Sequence, residues 1–219
     1  MIQRTAPQWE AILRSCGVDA ITAAARAPAF AHVLKPGCFS AGEDDLRAFL
    51  PTILVESMNL KRLKEGGNYT AKRIRELGNA SPPGSRWASL IARADELAGN
   101  PDKFFEACYG GRGGNRPEGS GDGRRYFGRG FIMLTFADGY RWQGLRSGQD
   151  LISLPELAEQ PYFALQFAVD YWEGKIPDAY LADTAKVRRI VNGGTFGLQE
   201  VRDLKVRTDK ALSQAANPG

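Results

Sequence analysis

Apolar positions along the chain recur mostly at helical spacing. In "TAPQWEAILRSCG", Trp9, Ile12, Leu13 and Cys16 fall three and four residues apart, with Thr5 and Gln8 spelling a capping box in front and Gly17 behind as a stop. The stretch "SAGEDDLRAFLPTILVES" repeats the arrangement: Leu46, Phe49, Leu50, Ile53 and Leu54 form a core-facing stripe. Ser40 and Glu43 read as a second capping box, and Asp44 and Asp45 suit the positive end of the helix. Pro51 falls on the face opposite the stripe, where a kink is expected. "WASLIARADELAGN" and "PDKFFEACYG" predict two short helices closed by Gly99-Asn100 and by Gly110-Gly111. "PYFALQFAVDYWEGK" is apolar nearly all round and predicts a central buried helix. "DTAKVRRIVNGGTFG" predicts a helix ending at Asn192-Gly193-Gly194, with a last helix in "LQEVRDLKVRTDKALSQ". The run "FIMLTF" fits either a strand or a buried helix. Nine glycines between residues 110 and 130 exclude a long helix there. The pattern therefore predicts a mostly helical chain with one glycine-rich loop.

At 219 residues and 43% apolar content, the sequence is long enough for one well-buried core or two small lobes. It carries no apolar run of membrane-spanning length and no basic-then-apolar leader, so a soluble protein folded in a cytoplasm is expected. Cys16, Cys38 and Cys108 are odd in number and form no paired motif, so free thiols are expected. The net charge of +4 and pI near 9.0 suit an anionic partner such as nucleic acid, a membrane surface or a cell wall. His32 is the sole histidine and has no acidic or cysteine cluster beside it, which argues against a zinc site and a histidine triad. Chemistry is left to carboxylates, hydroxyls and amides.

Two carboxylates fit that restriction. Glu56 closes the Leu46–Leu54 stripe and lies about 80° from its centre at roughly 100° per residue, on the border between core and solvent. Glu65 follows in the polar, glycine-rich "EGGNYT". Desolvation at the stripe's edge would keep a proton on Glu56, and a solvated turn would keep Glu65 ionised. Asp122 and Glu118 compete with Glu65 for the part of base, although an Asp in a Gly-Asp-Gly turn more often bonds nearby backbone.

Four stretches, in order, resemble glycoside hydrolase family 19, the chitinase-like lysozymes that include many bacteriophage endolysins. "FLPTILVES" followed by "EGGNYT" is similar to the family's His-Glu-Ser and Glu-Asn-Leu-Asn-Tyr-Ser motifs. "YGGRGGN" at 109–115 is similar to Tyr-Gly-Gly-Arg-x-Gly-Asn, "GDGRRYFGRGFIMLT" to Gly-Asp-Gly leading into Gly-Arg-Gly-x-Ile-Gln-Leu-Thr, and "VNGGT" at 191–195 to Ile-Asn-Gly-Gly-Thr. The resemblance implies a single all-α, lysozyme-like catalytic domain over residues 1–219, with two lobes, a central cleft and the glycine-rich loop. It implies inverting hydrolysis of a β-1,4-linked amino-sugar polymer, with Glu56 as general acid, Glu65 as general base and Thr135 helping to hold the attacking water. It places Tyr69, Tyr109, Arg129, Met133, Tyr140, Asn192 and Arg202 in substrate-binding or acid-tuning positions. The usual His is Val55 here and the usual Gln is Met133, which cannot make the amide's hydrogen bonds.

The resulting expectation is a peptidoglycan-degrading enzyme of endolysin type. It would need no cofactor or metal, act as a monomer, bind no nucleic acid, insert in no membrane, and wait in a host cytoplasm before reaching the cell wall or periplasm. A true chitinase and a catalytically dead glycan binder are the alternatives, and an antibacterial effector would use the same chemistry. The arginines beside "RGGN" suggest an RNA-binding segment, but flanking helices favour an ordered loop. Trp9, Trp87 and Trp142 are candidates for sugar stacking, and Trp172 for the core.

Overall fold

Thr5 starts the first helix as the sequence requires: Gln8 Oε1 accepts its backbone N–H at 2.8 Å while the Thr5 hydroxyl faces the Gln8 N–H at 3.5 Å. In the computed structural model, which describes residues 1–216, twelve α-helices follow one another. They are α1 (Ala6–Ser15), α2 (Ala20–Val33), α3 (Glu43–Glu56), α4 (Ala71–Asn79), α5 (Arg86–Leu90), α6 (Ala94–Leu97), α7 (Pro101–Tyr109), α8 (Asp122–Arg125), α9 (Ala137–Ser147), α10 (Pro161–Lys175), α11 (Thr184–Asn192) and α12 (Leu198–Ala216). Extended pairing among the described residues is confined to the isolated bridges Lys64–Arg129 and Arg129–Leu134. The fold is all-α and consistent with a lysozyme-like architecture.

Contacts divide the chain into two compact units. The first holds Met1–Leu63, Gly130–Ile132 and the chain from Glu156 onward; the second holds Lys64–Arg129 and Met133–Pro155. Trp9, Phe30, Phe49, Leu54, Phe131, Leu165 and Trp172 anchor the core of the first. Ile74, Leu90, Leu97, Phe104, Phe105 and Tyr109 form that of the second. The three cysteines are free, Cys16 and Cys108 buried and Cys38 half-buried. Burial pushes the Cys16 and Cys38 thiols up to about 12 and Cys108 up to about 11.

Several local expectations are corrected. Helix α3 has no Ser40–Glu43 capping box: Gly42, at φ +63°, stands at its N-cap. The Ser40 backbone and hydroxyl turn instead to Glu173 and Asp178, and Glu43 accepts from Arg4 and from the Ile2 N–H. Pro51, on the face of α3 opposite the stripe, is also buried, and with Ala48 and Thr52 it lines a small cavity shared with Leu181, Val187 and Val201. "FIMLTF" is neither strand nor helix but a tight turn, closed by Arg129 N–H to Leu134 O at 3.0 Å and Leu134 N–H to Arg129 O at 2.7 Å. Its Phe131 is buried in the first unit's core. Trp172 is buried as expected and donates its indole N–H to buried Asp45 at 2.8 Å.

Candidate active site

In the first unit, α3 does end on Glu56, and the chain just beyond it explains why. The buried Ser57 hydroxyl donates to Ile53 O at 2.6 Å and accepts the Leu60 N–H at 2.9 Å. Between these anchors Met58, Asn59 and Leu60 all adopt left-handed backbone, with φ of +52°, +56° and +64°. Such a conformation costs an L-residue about 1–2 kcal/mol. Complete burial of Leu60, which contributes about 2 kcal/mol, offsets part of it. Strained backbone held by surrounding packing is characteristic of functional segments.

The Glu56 carboxylate does not rest against apolar side chains alone. It forms an ion pair with Arg188, whose side chain is only 2% exposed and whose Nε donates to Phe196 O at 2.6 Å. The backbone comes so close that a β-carbon on Gly197, at φ +73°, would lie 3.1 Å from Arg188 Nη2 and 3.4 Å from Val55 Cγ1. Burial, followed by the Glu56 charge, raises the Tyr171 phenol above its ordinary range. No motif in the sequence points to Arg188. Its signal lay in the stripe Thr184, Val187, Arg188, Val191, where an arginine at a core position calls for a buried anion.

In the second unit, the Glu65 N–H donates to Gly128 O at 2.8 Å beside the Lys64–Arg129 bridge. Its side chain is 11% exposed, in place of the solvated turn expected. Tyr109 donates its hydroxyl to Glu65 Oε2. Arg86 donates to the same Tyr109 oxygen at 2.7 Å, and another of its nitrogens lies 3.7 Å from Glu65 Oε1. Burial and then the Glu65 charge push the Tyr109 phenol well above its usual range, so it remains a donor. A β-carbon on Gly128 would sit 3.2 Å from Glu65 Oε2, 3.3 Å from Met133 Cβ and 3.4 Å from Thr135 Oγ1. A carboxylate and a hydroxyl thus converge on one small space, and the missing side chain of Gly128 keeps it open. The Thr135 hydroxyl donates to Met133 O at 2.6 Å, which leaves its lone pairs available.

The remaining residues singled out from sequence separate into two groups. Tyr69 is half-buried against Trp87 and Phe104, with ring centroids 5.3 and 4.8 Å away. Met133 is also half-buried, while Asn192 and Arg202 are exposed. Tyr109, Arg129 and Tyr140 are buried. Their groups are spent internally: Arg129 Nη1 donates to Arg125 O at 2.7 Å and to Tyr140 Oη at 2.9 Å, and Tyr140 donates to Phe127 O at 2.8 Å. It is Arg188, rather than Arg202, that pairs with Glu56. Asp122 accepts from Arg116 at 2.8–3.0 Å and Glu118 pairs with Arg93 at 2.8 Å, so the rival acids have structural partners. Trp9 is fully buried and Trp87 packs in the aromatic cluster. Among the described residues no group of three or more His, Cys, Asp or Glu could hold a metal ion, and no helix is long and apolar enough to cross a membrane.

Comparison with known proteins supplies the class. No protein-family model matches the chain. A glycosyl hydrolase family 19 domain-containing protein of Haemophilus influenzae is 32% identical over 170 residues, spanning 78% of this chain and 80% of that relative. The chain belongs to glycosyl hydrolase family 19, and at that level it is a glycosidase.

Proposed function

We propose that the protein hydrolyses β-1,4 bonds of peptidoglycan by inversion, with Glu56 as general acid, Glu65 as general base and Thr135 as a ligand of the attacking water. The observation that carries this reading is the convergence of Glu65 Oε2 and Thr135 Oγ1 on the space above Gly128. A water held there by the hydroxyl would give its proton to the carboxylate as it attacks the anomeric carbon. Glu56 would act from its protonated form, giving that proton to the leaving oxygen and returning to the carboxylate that pairs with the Arg188 guanidinium. Tyr109 and Arg86 fix the orientation of Glu65. Tyr69, Met133, Asn192 and Arg202, all with accessible surface, are the candidates for sugar contact.

The basic charge suits an anionic wall polymer, and an endolysin or a delivered effector working as a monomer at the cell wall fits the same chemistry. Purified protein is expected to release reducing ends from peptidoglycan, with the α-anomer formed first as read by proton NMR. Release from chitin oligomers alone would transfer the reading to chitin. A β-anomer as first product would overturn the inverting mechanism.

A further inference from the structure

A groove of about 560 Å³ lies within the first unit, on the flank of α3, and the mechanism above does not use it. Its walls are Cys16, Leu54, Val55, Met58 and Leu204 on the apolar side, and Lys61, Glu200, Asp203 and Arg207 on the charged side. The volume falls in the range of small-ligand sites. Glu200, Asp203, Leu204 and Arg207 follow one face of α12 at i, i+3, i+4 and i+7, which separates the acidic end from the basic end by roughly 10 Å along the axis.

The two ends have known surroundings. A β-carbon on Gly197 would be 3.6 Å from Glu200 Oε2, and the same position is 3.4 Å from Val55 Cγ1 and 3.1 Å from Arg188 Nη2, so the acidic end adjoins the Glu56 ion pair. A β-carbon on Gly17 would be 3.6 Å from Arg207 Nη1, which marks the basic end, and Lys61 there pairs with Asp19 at 3.1 Å. Among the described residues Glu200, Asp203 and Arg207 form no ion pair, Asp203 accepting only from Gln199. Both signs of charge are therefore open, in a fixed order, over an apolar floor.

We propose that this groove binds the peptide arm of a peptidoglycan substrate. The arm would be a short zwitterionic segment, its free amine on Glu200 and Asp203 and its carboxylate on Arg207 and Lys61. About three extended residues span the roughly 10 Å between the charges. Chitin carries no such arm, so the groove would favour peptidoglycan over chitin. This inference rests on the peptidoglycan reading above and is tested separately from it.

The experiment is calorimetric titration of the folded protein with a synthetic tetrapeptide bearing a free side-chain amine and a free C-terminal carboxylate. It is run on wild type, on Arg207→Gln and on the double variant Glu200→Gln/Asp203→Asn, with the peptide acetylated on that side-chain amine and amidated at its C-terminus as control. Binding by wild type that weakens about tenfold in each variant and in the blocked peptide is expected, since each change removes charge-assisted hydrogen bonds. Absence of binding, or equal binding throughout, would overturn the proposal. A second arm compares KM on intact glycan with KM on glycan stripped of its peptides: Arg207→Gln should raise the first several-fold and leave the second unchanged. A protein that binds the peptide but cleaves neither glycan would retain the groove assignment and remove the hydrolase reading.

Discussion

Glu56 and Glu65 are the same residue type, nine positions apart, yet they are held by opposite means. Glu56 is placed by backbone: it is the last residue of a buried helix, and a left-handed turn clamped by Ser57 fixes where that helix stops. One buried cation, Arg188, meets it. Glu65 has no helix beneath it and is placed by side chains, through the Tyr109 hydroxyl, the Arg86 guanidinium and one backbone bond to Gly128. The first arrangement sets position and the second sets orientation. In the proposed reaction, an acid that must reach a leaving oxygen is served by a fixed position, and a base that must share a water with Thr135 by a fixed orientation.

The contrast is broken most severely at Arg188. Arg188→Leu would strand the largely buried Glu56 carboxylate and should cost about 3 kcal/mol in urea denaturation, with activity falling as well; a cost under 1 kcal/mol would show that the pair is incidental. Tyr109→Phe removes the hydroxyl shared by Glu65 and Arg86. A loss of about 1–2 kcal/mol is expected, with a fall in kcat and little change in KM, because only the base's orientation is disturbed. Gly128→Ala places a β-carbon into the space between Glu65 and Thr135. It should leave the melting temperature within a few degrees of wild type and lower kcat about tenfold, an effect of slight misplacement rather than unfolding. The smallest effect is expected at a carboxylate outside both sites. Asp19 caps α2, and hydrogen bonds led by the Thr22 N–H lower its pKa to about 2. Its folded value lies below its unfolded one, so its contribution is present above about pH 4 and is lost as pH falls toward 2; Asp19→Ala should lower the melting temperature near neutrality and flatten that acid limb.

The helices that were legible from sequence are those with a one-sided apolar stripe and a capping signal, such as α1, with Thr5 and Gln8, and α11, ending before Gly193. Helix α2 escaped notice because alanines dominate it and give little contrast between faces, and α4 because it buries only Ile74 and Gly78. The Ser40–Glu43 cap failed because both side chains had stronger partners far away in sequence, in Glu173, Asp178 and Arg4. The candidate carboxylates were legible as motif residues, since spacing preserves them. Their environments were not, because Arg188 lies 132 positions from Glu56 and Tyr109 lies 44 from Glu65. For the same reason the mutual hydrogen bond of Arg129 and Tyr140, and Tyr140's bond to the Phe127 carbonyl, have no signature in the sequence.

In the proposed reaction the two glutamates divide the chemistry between them. The most direct measurement is the rate of reducing-end release from purified peptidoglycan by wild type, Glu56→Gln and Glu65→Gln, each first shown to be folded by circular dichroism. Glu56→Gln is expected to abolish release and Glu65→Gln to reduce it by about 10²–10⁴. Equal rates from all three proteins would contradict that division and leave a family 19 fold that binds glycan without cutting it.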